Sequence, residues 1–203
     1  MYNCLMQALI LNGSISGNTG STHQCLLRVA SRLKERGLKV QHVSLADKQR
    51  LFSLLESLEH ADGLFIGSGS YWDAWGSPLQ KFLEDIAGLD STDSLFGKPV
   101  GLLTTCHSVG GKAVLNRLQG VLNTMGLWTP PHGAMTYAMV SHEAFRLGLD
   151  GWRAGETWRL DDLDVVAHNL AEAILKTYQW KSWFVSDEPD EAFRQRWLDS
   201  SKT

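Results

Sequence analysis

Three short segments hold most of the side chains able to grip a small ligand. The first is Asn12-Gly13-Ser14-Ile15-Ser16-Gly17-Asn18-Thr19-Gly20-Ser21-Thr22, dense in hydroxyls and glycine and free of lysine and arginine. It joins an apolar run, Leu5–Leu11, to a helical pattern from about Thr22 to Arg36. A helix start offers unpaired N–H groups and the positive end of the helix dipole, and both attract an anion. Hydroxyls add donors, and glycines let the backbone come close. The segment therefore reads as a phosphate cradle, with an ordinary Gly/Ser/Thr turn and helix cap as the alternative. The nearest following cation, Arg28, lies well inside the helix. G-x-x-x-x-G-K-[ST] is absent, which argues against nucleotide triphosphate hydrolysis, and so is G-x-G-x-x-G, which argues against a Rossmann dinucleotide site.

The second segment, Ser68–Gly76, carries Tyr71, Trp72 and Trp75 on an otherwise polar loop, and the third, Thr104–Gly111, carries Cys106, His107 and Gly110-Gly111. Other chemistries fit less well. The histidines (His23, His42, His60, His107, His132, His142, His168) form neither H-x-x-x-H nor H-E-x-x-H, so no metal site is expected. Gly67-Ser68-Gly69-Ser70 has the wrong spacing for a hydrolase nucleophile elbow. Cys106 has no base partner in sight and reads as a small buried thiol. Asp161-Asp162 and Glu84-Asp85 sit at helix ends and read as caps or solvated faces.

The elements that must position these loops alternate along the chain. Strands are expected over Leu5–Leu11, Leu38–Leu45, Asp62–Gly67 and Pro99–Thr105, with a fifth inside His132–Val140. Helices are expected at Thr22–Arg36, stopped by Gly37, and more weakly at Arg50–His60. A third starts at Ser77-Pro78, with Ser77 as N-cap and Leu79, Phe82, Leu83 and Ile86 as its apolar stripe. A fourth opens at Gly110-Gly111, with Val114, Leu118, Val121, Leu122 and Met125 on one face, and a last one spans Leu163–Tyr178. Such alternation implies right-handed crossovers and an α/β fold. The best small-domain match is flavodoxin-like: a five-stranded parallel sheet in the order 2-1-3-4-5, with helices on both faces. Ligands of such sheets bind beyond the carboxyl ends of the strands, where the strand order reverses. All three loops fall there.

Composition bounds the rest. The chain has 203 residues, 43% of them hydrophobic, and a formal charge of −3. That suffices for one full core and excludes a disordered chain. It gives no electrostatic reason to expect nucleic acid or an anionic membrane as partner. Three cysteines without C-x-x-C spacing favour a reducing compartment. The N-terminus does not read as a signal peptide and no apolar run spans a membrane, so a soluble cytoplasmic protein is expected.

A resemblance follows from the loops. Ser14-Ile15-Ser16-Gly17-Asn18-Thr19 looks like the flavodoxin phosphate loop (S/T)-x-T-G-x-T. It is also similar to the G-S-x-R-x-x-S loop of the NAD(P)H-dependent FMN reductases, with Ser16 where that family carries Arg. The stretch Ser70-Tyr71-Trp72-Asp73-Ala74-Trp75, continued by Leu79-Gln80-Lys81 and Leu83, resembles the family's T-P-x-Y-x-G-x-x-x-x-L-K-x-x-L. Gly69 replaces the usual Pro, and Asp73 the usual Gly. Thr104-Thr105 and Gly110-Gly111 keep part of T-x-G-x-x-G-G. A weaker likeness to the family's arsenic-resistance-type branch runs on to about Leu175, through Gly126-Leu127-Trp128, Ser141–Phe145 and Asp164–Ala171.

The resemblance implies bound FMN. The first loop would hold the phosphate through Ser14, Ser16, Gly17, Asn18, Thr19, Ser21 and Thr22. Ser70, Tyr71, Trp72, Asp73, Ala74 and Trp75 would flank the flavin ring; for Trp72 or Trp75 singly, a core or subunit-contact role is the alternative. Thr105, Cys106, His107, Gly110 and Gly111 would wrap the ring's pyrimidine side. His107 would add a donor that favours reduced flavin, or else simply face solvent. NADPH or NADH would be co-substrate, and a free flavin, quinone, azo compound or metal ion the small-molecule acceptor. No side chain need act as acid or base, so no catalytic residue is named. A homodimer or homotetramer is implied. Two alternatives stay open: a flavodoxin-type electron carrier, although carriers are usually more acidic, and a flavodoxin-fold protein that has lost FMN. The FMN-binding domain is expected over 1–180 and an amphipathic tail over 181–203, with Phe193 and Trp197 on one face. Trp128, Trp152 and Trp158 fall where a partner subunit could cover them.

Overall fold

The computed structural model describes residues 5–47, 51–90, 92–140 and 160–176. Strands β1 (Gln7–Asn12), β2 (Lys39–Ser44), β3 (Gly63–Gly69), β4 (Val100–Cys106) and β5 (Ala134–Ala138) form one sheet in the order β2-β1-β3-β4-β5. All four pairings are parallel. Helices α1 (Ser21–Glu35), α2 (Leu51–His60), α3 (Ser77–Asp85), α4 (Gly111–Thr124) and α5 (Asp162–Leu175) pack against the sheet. This is the flavodoxin-like arrangement expected from the sequence.

Period-two alternation in the strands divides the core into two layers. Leu9, Leu11, Leu64, Ile66 and Leu102 face α2, α3 and α4. Ala8, Ile10, Phe65, Leu103 and Met135 face α1 and α5. Each side chain of β3 and β4 is buried, as a parallel sheet covered on both faces demands. Gly37, at φ +83°, ends α1. No helix among the described residues is long and apolar enough to cross a membrane.

Several boundaries differ from expectation. β3 runs on to Gly69 and β4 to Cys106, so both strands reach into stretches expected as loop. Ladder bonds to neighbouring strands carry them there, a tertiary effect with no local signature. Leu5 is exposed and precedes β1. Ser77 is not the N-cap of α3. Gly76 is: its extended backbone (ψ 145°) turns the chain, and its carbonyl accepts from Leu79 and Gln80. The Gly76 N–H is itself held by Ser68 Oγ at 2.9 Å. In α4, Val121 is exposed and Leu115 takes its place in the stripe. Tyr178, the 181–203 tail, Trp152 and Trp158 lie outside the described residues. Trp128 is half-buried and donates to Gly97 O at 2.9 Å.

Candidate functional site

The three loops leave the carboxyl ends of β1, β3 and β4, neighbours in the sheet, and they are bonded pairwise. Thr22 Oγ1 meets Thr105 Oγ1 at 2.7 Å, joining the first loop to the third. Tyr71 joins the second to the first: its hydroxyl lies 3.0 Å from Ser14 Oγ and accepts from Ile15 N at 3.2 Å. Ser70 N donates to Thr105 O at 2.7 Å, tying the second to the third. The hydroxyls of Thr22, Thr105 and Ser14 thus brace the site from within, all three side chains being buried.

Asn12, fully buried at the end of β1, shapes the first loop. Its Oδ1 accepts from Ser14 N at 3.1 Å and its Nδ2 donates to Gly17 O at 2.8 Å. Gly17 opens the short 3-10 turn Gly17–Thr19 at φ +51°, a left-handed conformation that favours glycine. Thr19 Oγ1 donates back to Ser16 O at 2.8 Å. The side chains of Ser16, Asn18, Thr19 and Ser21 are exposed. Among the described residues, the N–H groups of Asn18, Gly20, Ser21 and Thr22 have no acceptor. That is four donors at a helix start, an anion cradle ready made.

The second loop is a tight turn. Tyr71 N donates to Ala74 O at 2.7 Å and Ala74 N to Tyr71 O at 3.0 Å. Trp72 and Asp73 between them have φ of +49° and +57°, the backbone of a type I′ turn. Trp72 is fully exposed at the tip, whereas Trp75 is half-buried against the α2–α3 side of the core. Trp75 Nε1 donates to Gln80 Oε1 at 2.8 Å. The N–H groups of Trp72, Asp73 and Trp75 have no acceptor among the described residues.

Two departures from the family pattern find their reason here. A Cβ on Gly69 would sit 2.9 Å from the Tyr71 ring, so that strand end has no room for proline once Tyr71 folds over it. Asp73 occupies the left-handed position natural to glycine, and aspartate is among the side chains that tolerate it.

In the third loop, Thr105 and Cys106 are the buried end of β4, and His107, Ser108 and Val109 are exposed. Burial pushes the Cys106 thiol up, which keeps it protonated and unreactive at neutral pH. His107 O accepts from Val140 N at 2.8 Å. Gly110 has φ +84°, and a Cβ there would lie 2.1 Å from Asp73 Oδ1, so the second and third loops meet at this glycine. The N–H groups of Ser108, Val109 and Gly110 have no acceptor among the described residues. Burial of the Gly111 backbone against Cys106 and Thr136 completes the bend into α4.

Sequence reasoning missed several contributors. Arg117 on α4 donates to Asp73 O and lies over the Trp75 ring, 5.8 Å from its centroid. Nothing in the sequence distinguishes it from any solvated helix arginine. Asn12 and Ser68 carry a signal that was available: polar residues closing apolar strands, where a buried donor must find a partner. Ile15, Val109, Met139 and Val140 join Trp72 as exposed apolar side chains at this one edge. Their signal is an apolar residue set among polar loop neighbours. No group of three or more His, Cys, Asp or Glu able to hold a metal occurs among the described residues.

Fold and site together define a flavodoxin-like protein whose unpaired N–H groups and exposed apolar side chains gather at the carboxyl edge of its sheet. The description that matches residues 6–141 is that of the NADPH-dependent FMN reductases, and the chain belongs to that family, one of flavin-dependent oxidoreductases. Solved structures share the fold. RosB, determined with the bound intermediate 8-demethyl-8-formylriboflavin-5'-phosphate, superposes with a TM-score of 0.68 at 19% identity, over 83% of this chain and 79% of that one. The apo form of an NADH:FMN oxidoreductase, EmoB, gives 0.63 at 18% identity, over 91% and 92%. A flavodoxin from the domain Archaea gives 0.58 at 16% identity, over 83% and 99%.

Proposed function

We propose that the chain binds FMN across its three loops, takes electrons from NADH or NADPH, and passes them to a small acceptor such as a free flavin, a quinone, an azo compound or a metal ion. The observation that carries this reading is the set of unpaired N–H donors. They line all three loops, and a rim of exposed apolar side chains, Trp72 foremost, surrounds them. A ligand that is anionic at one end and flat, apolar and edge-polar at the other matches that arrangement.

In this reading the N–H groups of Asn18, Gly20, Ser21 and Thr22, with the hydroxyls of Ser16 and Ser21, hold the phosphate, and Thr19 shapes the turn through its bond to Ser16 O. Trp72 and Trp75 give the ring an apolar surface, while the N–H groups of Trp72, Asp73, Trp75 and Ser108–Gly110 serve its polar edges. The side chains of Ser14, Tyr71, Thr22 and Thr105 keep the loops in register. When bound, FMN supplies hydride acceptance and onward electron transfer. The chain's part is to bind, orient and shield, with no acid or base among its side chains. His107 is exposed and adds a donor at the rim. A homodimer or homotetramer in the cytoplasm is the expected working state, and the unpaired cysteines Cys25 and Cys106 suit a reducing compartment.

The test is anaerobic addition of NADH or NADPH to the FMN-loaded protein. Bleaching of the yellow colour without any partner protein supports a reductase. Bleaching only when a separate reductase is added shows a carrier instead.

A further inference from the structure

Among the described residues, three buried side-chain atoms have no hydrogen-bond partner: His23 Nδ1, His42 Nε2 and Ser44 Oγ. All three lie together beside the first loop. His23 belongs to the opening turn of α1, and its ring stacks on that of His42 from β2, with centroids 5.1 Å apart and planes 20° off parallel. Ser44 ends the same strand and is 4% exposed; a Cβ on Gly17 would lie 3.2 Å from its Oγ. The group therefore sits against the floor of the loop that carries the four unpaired N–H donors.

This position has an electrostatic consequence. The loop contains no lysine or arginine, and Arg28, the first cation of α1, is already tied to Asp164 at 2.8 Å and Asp161 at 2.8 Å. An acid, Asp47, donates its N–H to Ser44 O at 3.3 Å and has Oδ2 3.5 Å from Asn18 Nδ2. Among the described residues, a dianionic phosphate here would meet a helix dipole and neutral donors, one nearby carboxylate, and no fixed positive charge. Among the described residues beside the loop, the side chains that can acquire positive charge are the two imidazoles. Facing His42 from α1 is His23, the residues of β1 beside it are uncharged, and Lys39 lies at the opposite end of β2. We propose that the His23–His42 pair is the counter-charge of this phosphate site: the pair takes up one proton as the phosphate binds, so that proton and phosphate stabilise each other. This rests on the flavin reading above and adds to it which residues set the strength of phosphate binding.

Burial, and then the neighbouring His23, hold the His42 imidazole below its ordinary value, so unliganded His42 is neutral at physiological pH. A bound dianion favours the protonated form, and linkage then makes phosphate affinity rise as pH falls toward the histidine range. The rise ends near about pH 6, where the phosphate itself takes up a proton.

Two measurements on the full chain test this together. In the first, flavin fluorescence quenching gives the FMN and riboflavin affinities of the wild type and of a variant carrying His23→Gln and His42→Gln. Between about pH 8 and about pH 6.5, wild-type FMN affinity is expected to rise about tenfold, as for uptake of one proton, with riboflavin affinity flat in both proteins and FMN affinity flat in the variant. In the second, histidine ring resonances of the wild type are followed by NMR, a readout that does not depend on the variant folding. FMN, and not riboflavin, is expected to shift the titration of His23 or His42 to higher pH. FMN binding with unmoved histidine titrations, or with equal pH slopes in wild type and variant, overturns the proposal and leaves the flavin reading standing. An absence of FMN quenching at every pH overturns the flavin reading itself, and the proposal with it.

Discussion

Trp72 pairs a left-handed backbone with a side chain wholly in water, a combination that nothing in the fold rewards. A large side chain at φ +49° costs about 1–2 kcal/mol relative to glycine. At the rim of the proposed flavin site, that strain has a functional reading. Trp72→Gly is therefore expected to leave the apo protein as stable or up to about 1 kcal/mol more so, while weakening FMN binding tenfold or more. Thermal melts and FMN titration of the same preparation check both halves. Tyr71→Phe makes a contrasting case. It removes one hydroxyl that touches both Ser14 Oγ and Ile15 N, so it should cost about 1 kcal/mol of stability and loosen FMN with it, measured by urea unfolding. The sequence marked both aromatics as site residues but not their division of labour. The Tyr71 hydroxyl turns inward because Gly69 gives its ring a floor, a contact set by backbone placement rather than residue type.

At the scale of elements, two joints deserve separate treatment. The second and third loops meet where Asp73 Oδ1 overlies Gly110, with Arg117 of α4 on the Asp73 carbonyl. Gly110→Ala puts a methyl into that contact at a φ of +84°. A loss of more than about 1 kcal/mol in stability is expected, with FMN affinity falling as the turn is displaced; a melting point equal to wild type would contradict it. The other joint packs α1 on α5, where Arg28 and Arg32 both reach Asp164. These guanidiniums hold the Asp164 carboxyl down at about 2, from an ordinary 3.8. A depressed carboxylate contributes stability above its unfolded value and loses it as pH falls. The contribution is thus complete above about pH 4 and lost toward about pH 2; as the pair is partly solvated, it amounts to no more than about 1 kcal/mol. Asp164→Asn should be less stable than wild type at neutral pH by that amount and converge with it at acid pH in denaturant unfolding. Helix existence and order were legible from periodicity because each helix buries one stripe. The ends of β3 and β4 and the cap of α3 were not, because the ladder and Ser68 Oγ set them from elsewhere in the chain.

Over the whole molecule, the strand order fixes where a site can form: β1 and β3 are neighbours, β2 lies outside β1, and the chain reverses between them. The alternating pattern made that order legible, and the Gly/Ser/Thr loops made the edge legible. The closure of the site was not, since Thr22–Thr105, Ser14–Tyr71 and Asp73–Arg117 join residues far apart in the chain. A net charge of −3 offers little long-range steering toward a basic partner, which favours a reductase serving small molecules over a carrier that docks on proteins. The central claim is that this edge binds FMN through both its phosphate and its ring, and the most direct measurement is a fluorescence titration of FMN against the purified protein. Saturable quenching at one FMN per chain, with affinity at least about tenfold weaker for Trp72→Gly and weaker for riboflavin, is the expected result. Unquenched FMN at every protein concentration would contradict it.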